Sequence, residues 1–163
     1  MSEQASAKTE LPIADSEEHG LLRSLIHASY WLDDGLQRYM QKHAGIALPR
    51  AQSMAMIYLT EGVDRPSDLA GKLDVSKQAA QQLLKALVQK GIVVVRPDPA
   101  NGRQKQVVFT EYGRELQGVA RRGLFHMEAE LKKRIGSQHV LALRRALDLP
   151  WGDALDWQEK SRD

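Results

Sequence analysis

Long helical periodicities toward both ends of the chain, a pair of short capped helices between them, and a switch to strand periodicity around PDPANG predict a mainly α fold with a small β-hairpin. From about Glu17 to His43, Leu22, Leu25, Ile26, Leu32, Leu36, Tyr39 and Met40 recur with the spacing of one long amphipathic helix. Gly45 to Pro49 breaks it, and Ala51, Met54, Ala55, Tyr58 and Leu59 mark a shorter second helix that Gly62 closes. Pro66 opens the next element, with Ser67 expected as its N-cap and Leu69, Ala70 and Leu73 inward. Ser76 caps a longer helix, so two helices meet at a tight turn around Asp74 and Val75.

Past Gly91 the β-branched run Ile92 to Val95 and the run Val107 to Phe109 flank a turn-rich tip, which predicts two antiparallel strands joined by a partly basic loop. Thr110, followed by Glu111, reads as the start of another long helix carrying Leu116, Val119, Ala120, Leu124, Met127, Leu131 and Ile135. Gly136 and Ser137 punctuate it, and Val140, Leu141, Leu143 and Leu147 form a last helix before Pro150.

Composition narrows the function classes. At 163 residues, 42% hydrophobic and 27% charged, the chain reads as one soluble globular domain. Its longest apolar run, Met54 to Leu59, is six residues, well short of the roughly 20 that span a bilayer. The N-terminal stretch lacks the basic and apolar regions of a secretion signal, so the expected location is the cytoplasm. Cysteine is absent, and with it disulfides, thiolate metal sites and thiol redox chemistry. The net charge of +2 conceals an uneven distribution. Residues 1–20 hold one Lys against five acids, whereas residues 65–110 hold eight basic side chains against three acidic ones. The basic middle is the electrostatic footprint of a polyanion binder.

The order helix, turn, helix, hairpin between Pro66 and Thr110 is that of a winged helix-turn-helix, whose second helix enters a DNA major groove. On that helix Ala80, Leu83, Leu84 and Leu87 share the core-facing side, and Gln78, Gln81, Gln82 and Lys85 share the opposite one. Ser76 and Lys77 stand at its start. Glutamine pairs its donor and acceptor with the N6 and N7 edge of adenine, and lysine reaches a guanine edge or a phosphate. A polar solvent-facing stripe would look the same on any amphipathic helix; the surrounding helix-turn-helix is what favours readout. Ser67, Arg96, Arg103 and Lys105 complete the expected DNA-binding set.

The stretch RPSDLAGKLDVSKQAAQQLLKALVQKGIVVVRPDPANGRQKQVVFTEYG, residues 66–113 with the Arg before them, resembles the MarR family of bacterial transcription regulators. The resemblance is carried by Leu69 and Ala70, by the serine-led helix from Ser76 to Leu87 and Gly91, by Arg96 ending a strand, by Arg103 in the wing, and by Thr110 with Gly113. It implies that Arg103 is the wing arginine that enters a narrow A·T-rich minor groove. Family members commonly place an Asp two residues before this arginine. Here Asn101 stands there, so Arg103 is expected to be less preorganised, with Asp98 the candidate substitute.

The resemblance implies a homodimeric regulator, read as a repressor, that binds a palindromic operator in double-stranded DNA and responds to a small aromatic or phenolic ligand. Tyr30, Trp31, Arg38, Tyr39, His43, Met54 and Tyr58 are the candidate ligand residues, and core packing accounts for the aromatic ones equally well. The five histidines show no metal-ligand spacing beyond a lone His126–Glu130 pair, no phosphate loop or nucleophile motif is present, and neither a cofactor nor an enzyme activity is expected. A winged helix serving only as a protein-interaction or assembly module is the alternative, and it would not need a Gln-rich helix beside an arginine-tipped wing. The expected layout is an acidic arm over residues 1–15, a dimerisation helix in 16–48, the DNA-binding lobe in 49–113, dimerisation helices in 114–149 and a tail over 150–163.

Overall fold

The computed structural model describes residues 20–153, six helices and one hairpin in the order α1 (Leu21–Ala44), α2 (Arg50–Thr60), α3 (Pro66–Lys72), α4 (Lys77–Gln89), β1 (Val93–Pro97), β2 (Lys105–Phe109), α5 (Glu111–Ile135) and α6 (Ser137–Asp148). The acidic arm, Glu17 to His19 of the expected first helix, and most of the tail lie outside the described residues. α1 ends at Gly45, whose φ of 66° is the left-handed cap that glycine adopts without a Cβ penalty. α1 and α5 pack along one another through small residues: a Cβ on Gly35 would meet Met127, and one on Gly123 would lie 2.8 Å from the Tyr39 ring. α5 runs unbroken across residues 113 and 114, so the expected boundary between lobe and flanking helix falls inside a helix.

The core sits where the hairpin, α2, α3 and α4 converge on the far half of α1 and the first turns of α5. Leu69, Leu87, Ile92 and Val93 are fully buried there, joined by Met40, Ala55, Leu59, Leu84, Val107 and Leu116. Each buried aliphatic side chain contributes about 1.5–3 kcal/mol, so this cluster is what holds the lobe to the long helices. β1 and β2 pair antiparallel with Val93 opposite Phe109 and Pro97 opposite Lys105. The second strand thus begins two residues earlier than its apolar run, because Lys105 and Gln106 pair through their backbones whatever their side chains.

Ser67 is not the N-cap of α3. Arg65 takes that position with extended backbone and Pro66 occupies the first helical turn. Proline at the start loses no hydrogen bond, since that N–H would be an orphan in any helix, and its ring presets φ. The Ser67 hydroxyl instead lies 3.0 Å from the Asp68 carboxylate.

The opening turn of α2 is tied to α1 by polar side chains. Arg50 reaches Asp33 at 2.9 Å and Asp34 at 3.2 Å, and its guanidinium covers the Tyr30 ring at 3.7 Å. Gln37 accepts from the Leu48 amide at 2.6 Å and donates to Ser53 Oγ at 2.7 Å.

Candidate nucleic-acid interface

The turn between α3 and α4 is built from the backbone upward. Asp74 has φ 52°, a left-handed conformation that Asp tolerates better than most side chains, and the Val75 amide closes onto the Ala70 carbonyl at 3.1 Å. α4 then starts at Ser76, whose hydroxyl accepts from the Ala79 amide at 3.1 Å. Capping of this kind contributes about 1 kcal/mol and fixes where the helix begins.

That start sets the rotation of α4. Ala80, Leu84 and Leu87 are buried and Leu83 is half-buried, so Lys77, Gln78, Gln81, Gln82 and Lys85 are all exposed on the outward side. Five donors, three of them with acceptors as well, therefore stand along one face with no structural partner among the described hydrogen bonds.

In the hairpin, Arg96, Arg103 and Lys105 are exposed. Arg103 lies in the loop at the tip, where its amide donates to Asn101 Oδ1 at 3.3 Å, and among the described residues its guanidinium makes no ion pair. Asp98 does not stand in for the missing aspartate. Its Oδ2 faces Arg65 at 3.6 Å and its Oδ1 accepts from the Ala100 amide at 2.8 Å, and neither pairs with Arg103. Arg65 is a residue that sequence reasoning does not single out. Together with Pro66, Ser67, Gln104 and Lys105 it lines a notch of about 240 Å³ where the start of α3 meets the hairpin, and its only local sequence signal is the Arg-Pro pair before a helix.

The candidate ligand residues come together only in part. Tyr39 stacks on His43 with centroids 4.2 Å apart and lies 5.7 Å from the His126 ring. Trp31 and Arg38 line an open groove of about 440 Å³ between α1 and α5, opposite Met127, Arg134 and the same His126. Tyr30 faces Arg50 instead, Met54 is exposed and Tyr58 packs against the core. Among the described residues no group of three His, Asp or Glu could hold a metal ion, and no helix is long and apolar enough to cross a membrane.

Residues 46–104, from the end of α1 through the hairpin loop, match the MarR family. Among solved structures, apo wild-type MarR from E. coli is 23% identical with a TM-score of 0.63, covering 78% of this chain and 94% of that one. CouR from Rhodococcus jostii RHA1, solved with p-coumaroyl-CoA, is 17% identical with a TM-score of 0.62 over 82% of this chain and 93% of that one. RV1404 from Mycobacterium tuberculosis is 19% identical with a TM-score of 0.61, over 77% and 86%. No curated protein sequence matches the chain. The fold is that of winged-helix transcriptional regulators.

Proposed function

We propose that this chain, whose residues 46–104 match the MarR family, is a transcriptional repressor that binds a palindromic operator as a homodimer. The observation that carries the reading is the exposed face of α4: Lys77, Gln78, Gln81, Gln82 and Lys85 stand free while the opposite side is sealed into the core. Such a face offers base-edge hydrogen bonds, with an unpaired arginine available at the wing for a minor groove.

Dimerisation follows from apolar surface that one protomer leaves open. Leu22 and Ile26 on α1, Phe125 on α5 and Leu141, Leu143 and Leu147 on α6 are all at least 41% exposed. Isologous pairing of these helices buries that surplus and spaces two α4 helices for successive major grooves, about 34–36 Å apart.

For regulation, we read the groove between α1 and α5 as the place for an aromatic ligand, with the Trp31 ring for stacking and the Arg38 guanidinium for an acidic group; Asp34 and Glu130 also line it, and Arg134 pairs with Glu130 at 3.0 Å. The p-coumaroyl-CoA bound to CouR, a phenolic acyl thioester, is likewise aromatic.

Selection of duplexes from a random pool tests the reading. Dyad-symmetric sequences should be enriched by the wild-type chain, and Arg103→Ala should weaken their binding in an anisotropy titration without changing the circular dichroism. Retention of all duplexes alike, with no loss on Arg103→Ala, would leave the protein-interaction alternative standing.

A further inference from the structure

Two neighbouring residues between α2 and α3, Asp64 and Arg65, hold the outer part of the hairpin. On the tip-side half of β2 Asp64 takes two bonds, its carbonyl from the Val107 amide and its carboxylate from Gln106 Nε2, both 2.7 Å. These bonds stop at Gln106 and do not reach the tip loop beyond Lys105. The second fastening is Arg65, which reaches across to Asp98 at the beginning of the tip loop.

Asp98 organises that loop. Its side chain is only 12% exposed, and one carboxylate oxygen caps the Ala100 amide. Its own amide donates to the Gln104 carbonyl at 2.9 Å, and its carbonyl accepts from the Asn101 amide at 3.1 Å. Arg103 lies inside the segment these bonds close. Asn101 does not hold the Arg103 side chain; it accepts from the backbone. The Arg103 guanidinium is therefore placed by the loop, and the loop is tied through Asp98 to Arg65, which Pro66 anchors at the head of α3.

We propose that Arg65 is a wing-positioning residue: through Asp98 it sets the tilt of the hairpin tip and so the reach of Arg103 toward a duplex engaged by α4. The last step rests on the DNA-binding reading; the tie itself does not. The competing role is direct contact of Arg65 with a backbone phosphate, in the notch it shares with Ser67 and Lys105. The two roles give opposite signs for one substitution.

Asp98→Asn keeps an acceptor for the Ala100 amide and removes only the charge facing Arg65. If Arg65 positions the wing, Asp98→Asn weakens binding to a selected duplex of about 30 base pairs, by about two- to fivefold at low salt, the size of a partly screened ion pair. The difference shrinks as salt rises. If Arg65 contacts phosphate, the same substitution tightens binding, because it removes a negative charge from the interface and frees the guanidinium. Arg65→Gln should match Asp98→Asn, and Arg65→Lys should recover part of the loss. Tighter or unchanged binding by Asp98→Asn overturns the proposal.

Amide hydrogen exchange on the free, full-length protein supplies an arm without DNA. Faster exchange at the Asp98, Asn101 and Gln104 amides in both Asp98→Asn and Arg65→Gln supports the tie, and unchanged exchange overturns it. A wild-type chain that binds no duplex while these amides respond as expected defeats the DNA reading and leaves the tie standing.

Discussion

A Cβ placed on Gly113 would lie 2.0 Å from the carbonyl oxygen of Ile92, so the first turn of α5 rests directly on the backbone at the head of the hairpin. Thr110 completes the junction: its hydroxyl donates to the Gly91 carbonyl at 2.6 Å and accepts from the Gly113 amide at 2.9 Å. The Thr-x-x-Gly pattern is thus one contact between helix and wing. Gly113→Ala should cost about 1–3 kcal/mol or more, because the obstacle is backbone and not a flexible side chain. Thermal denaturation checks it, and an unchanged Tm would mean that α5 does not approach Ile92 this closely.

Readout and charge on α4 separate by substitution. Gln81→Ala or Gln82→Ala should flatten base preference at particular operator positions by about 1–3 kcal/mol. Lys85→Ala should weaken all sequences alike and lower the salt slope by about one. Binding arrays against every single-base operator variant distinguish the two. A uniform loss for both would show that α4 touches only the DNA backbone.

Leu141 and Leu143 are each 44% exposed in the protomer, so an aspartate at either position leaves the protomer fold intact. In a dimer that buries them it strands a carboxylate at the interface, at a cost of several kcal/mol. Sedimentation should show Leu143→Asp dissociated at concentrations where the wild type is dimeric, with palindrome binding lost in parallel. A variant that remains dimeric removes α6 from the interface.

α6 is also held to α5 by charge. Glu128 accepts from Lys132 at 2.7 Å along α5 and pairs with Arg144 of α6. The Lys132 bond first, then the charge of Arg144, hold the carboxyl below the ordinary glutamate value of 4.5. A lowered value in the folded state means that the tie is fully present above the ordinary value and is lost as pH falls through the lowered one. The stability advantage of wild type over Glu128→Gln should therefore shrink on acidification, read from denaturant midpoints across the acid range. An advantage independent of pH would remove this ion pair from the account.

What the sequence carried legibly was local. Ser76 as a cap, the Asp74–Val75 turn and the outward placement of Gln78, Gln81 and Gln82 follow from spacing alone, because a helix start fixes the rotation of everything after it. The Arg65–Asp98 pair joins residues with a whole helix-turn-helix between them, and no periodicity announces it. Tyr30 and Trp31 show the same limit at closer range. Adjacent residues on a helix point about 100° apart, so one meets Arg50 of α2 while the other turns toward α5. Clustering in sequence suggests a shared pocket wall, and only their directions separate them.

The polar ties between α1 and the opening turn of α2 make the two ends of α2 unequal. Lifting the Arg50 end from α1 exchanges its bonds to Asp33, Asp34 and Gln37 for bonds to water, a net cost of about 0.5–1.5 kcal/mol for each ordinary bond. Lifting the Leu59 end opens a dry void beneath Ala55 and Leu59, and no solvent contact repays that. The hold of the opening turn of α2 on α1 therefore depends on charge, and that of the Leu59 end chiefly on apolar packing. Added electrolyte, which weakens the Arg50 pairs and leaves the apolar contacts untouched, is expected to loosen the opening turn of α2 from α1 before it affects the Leu59 end.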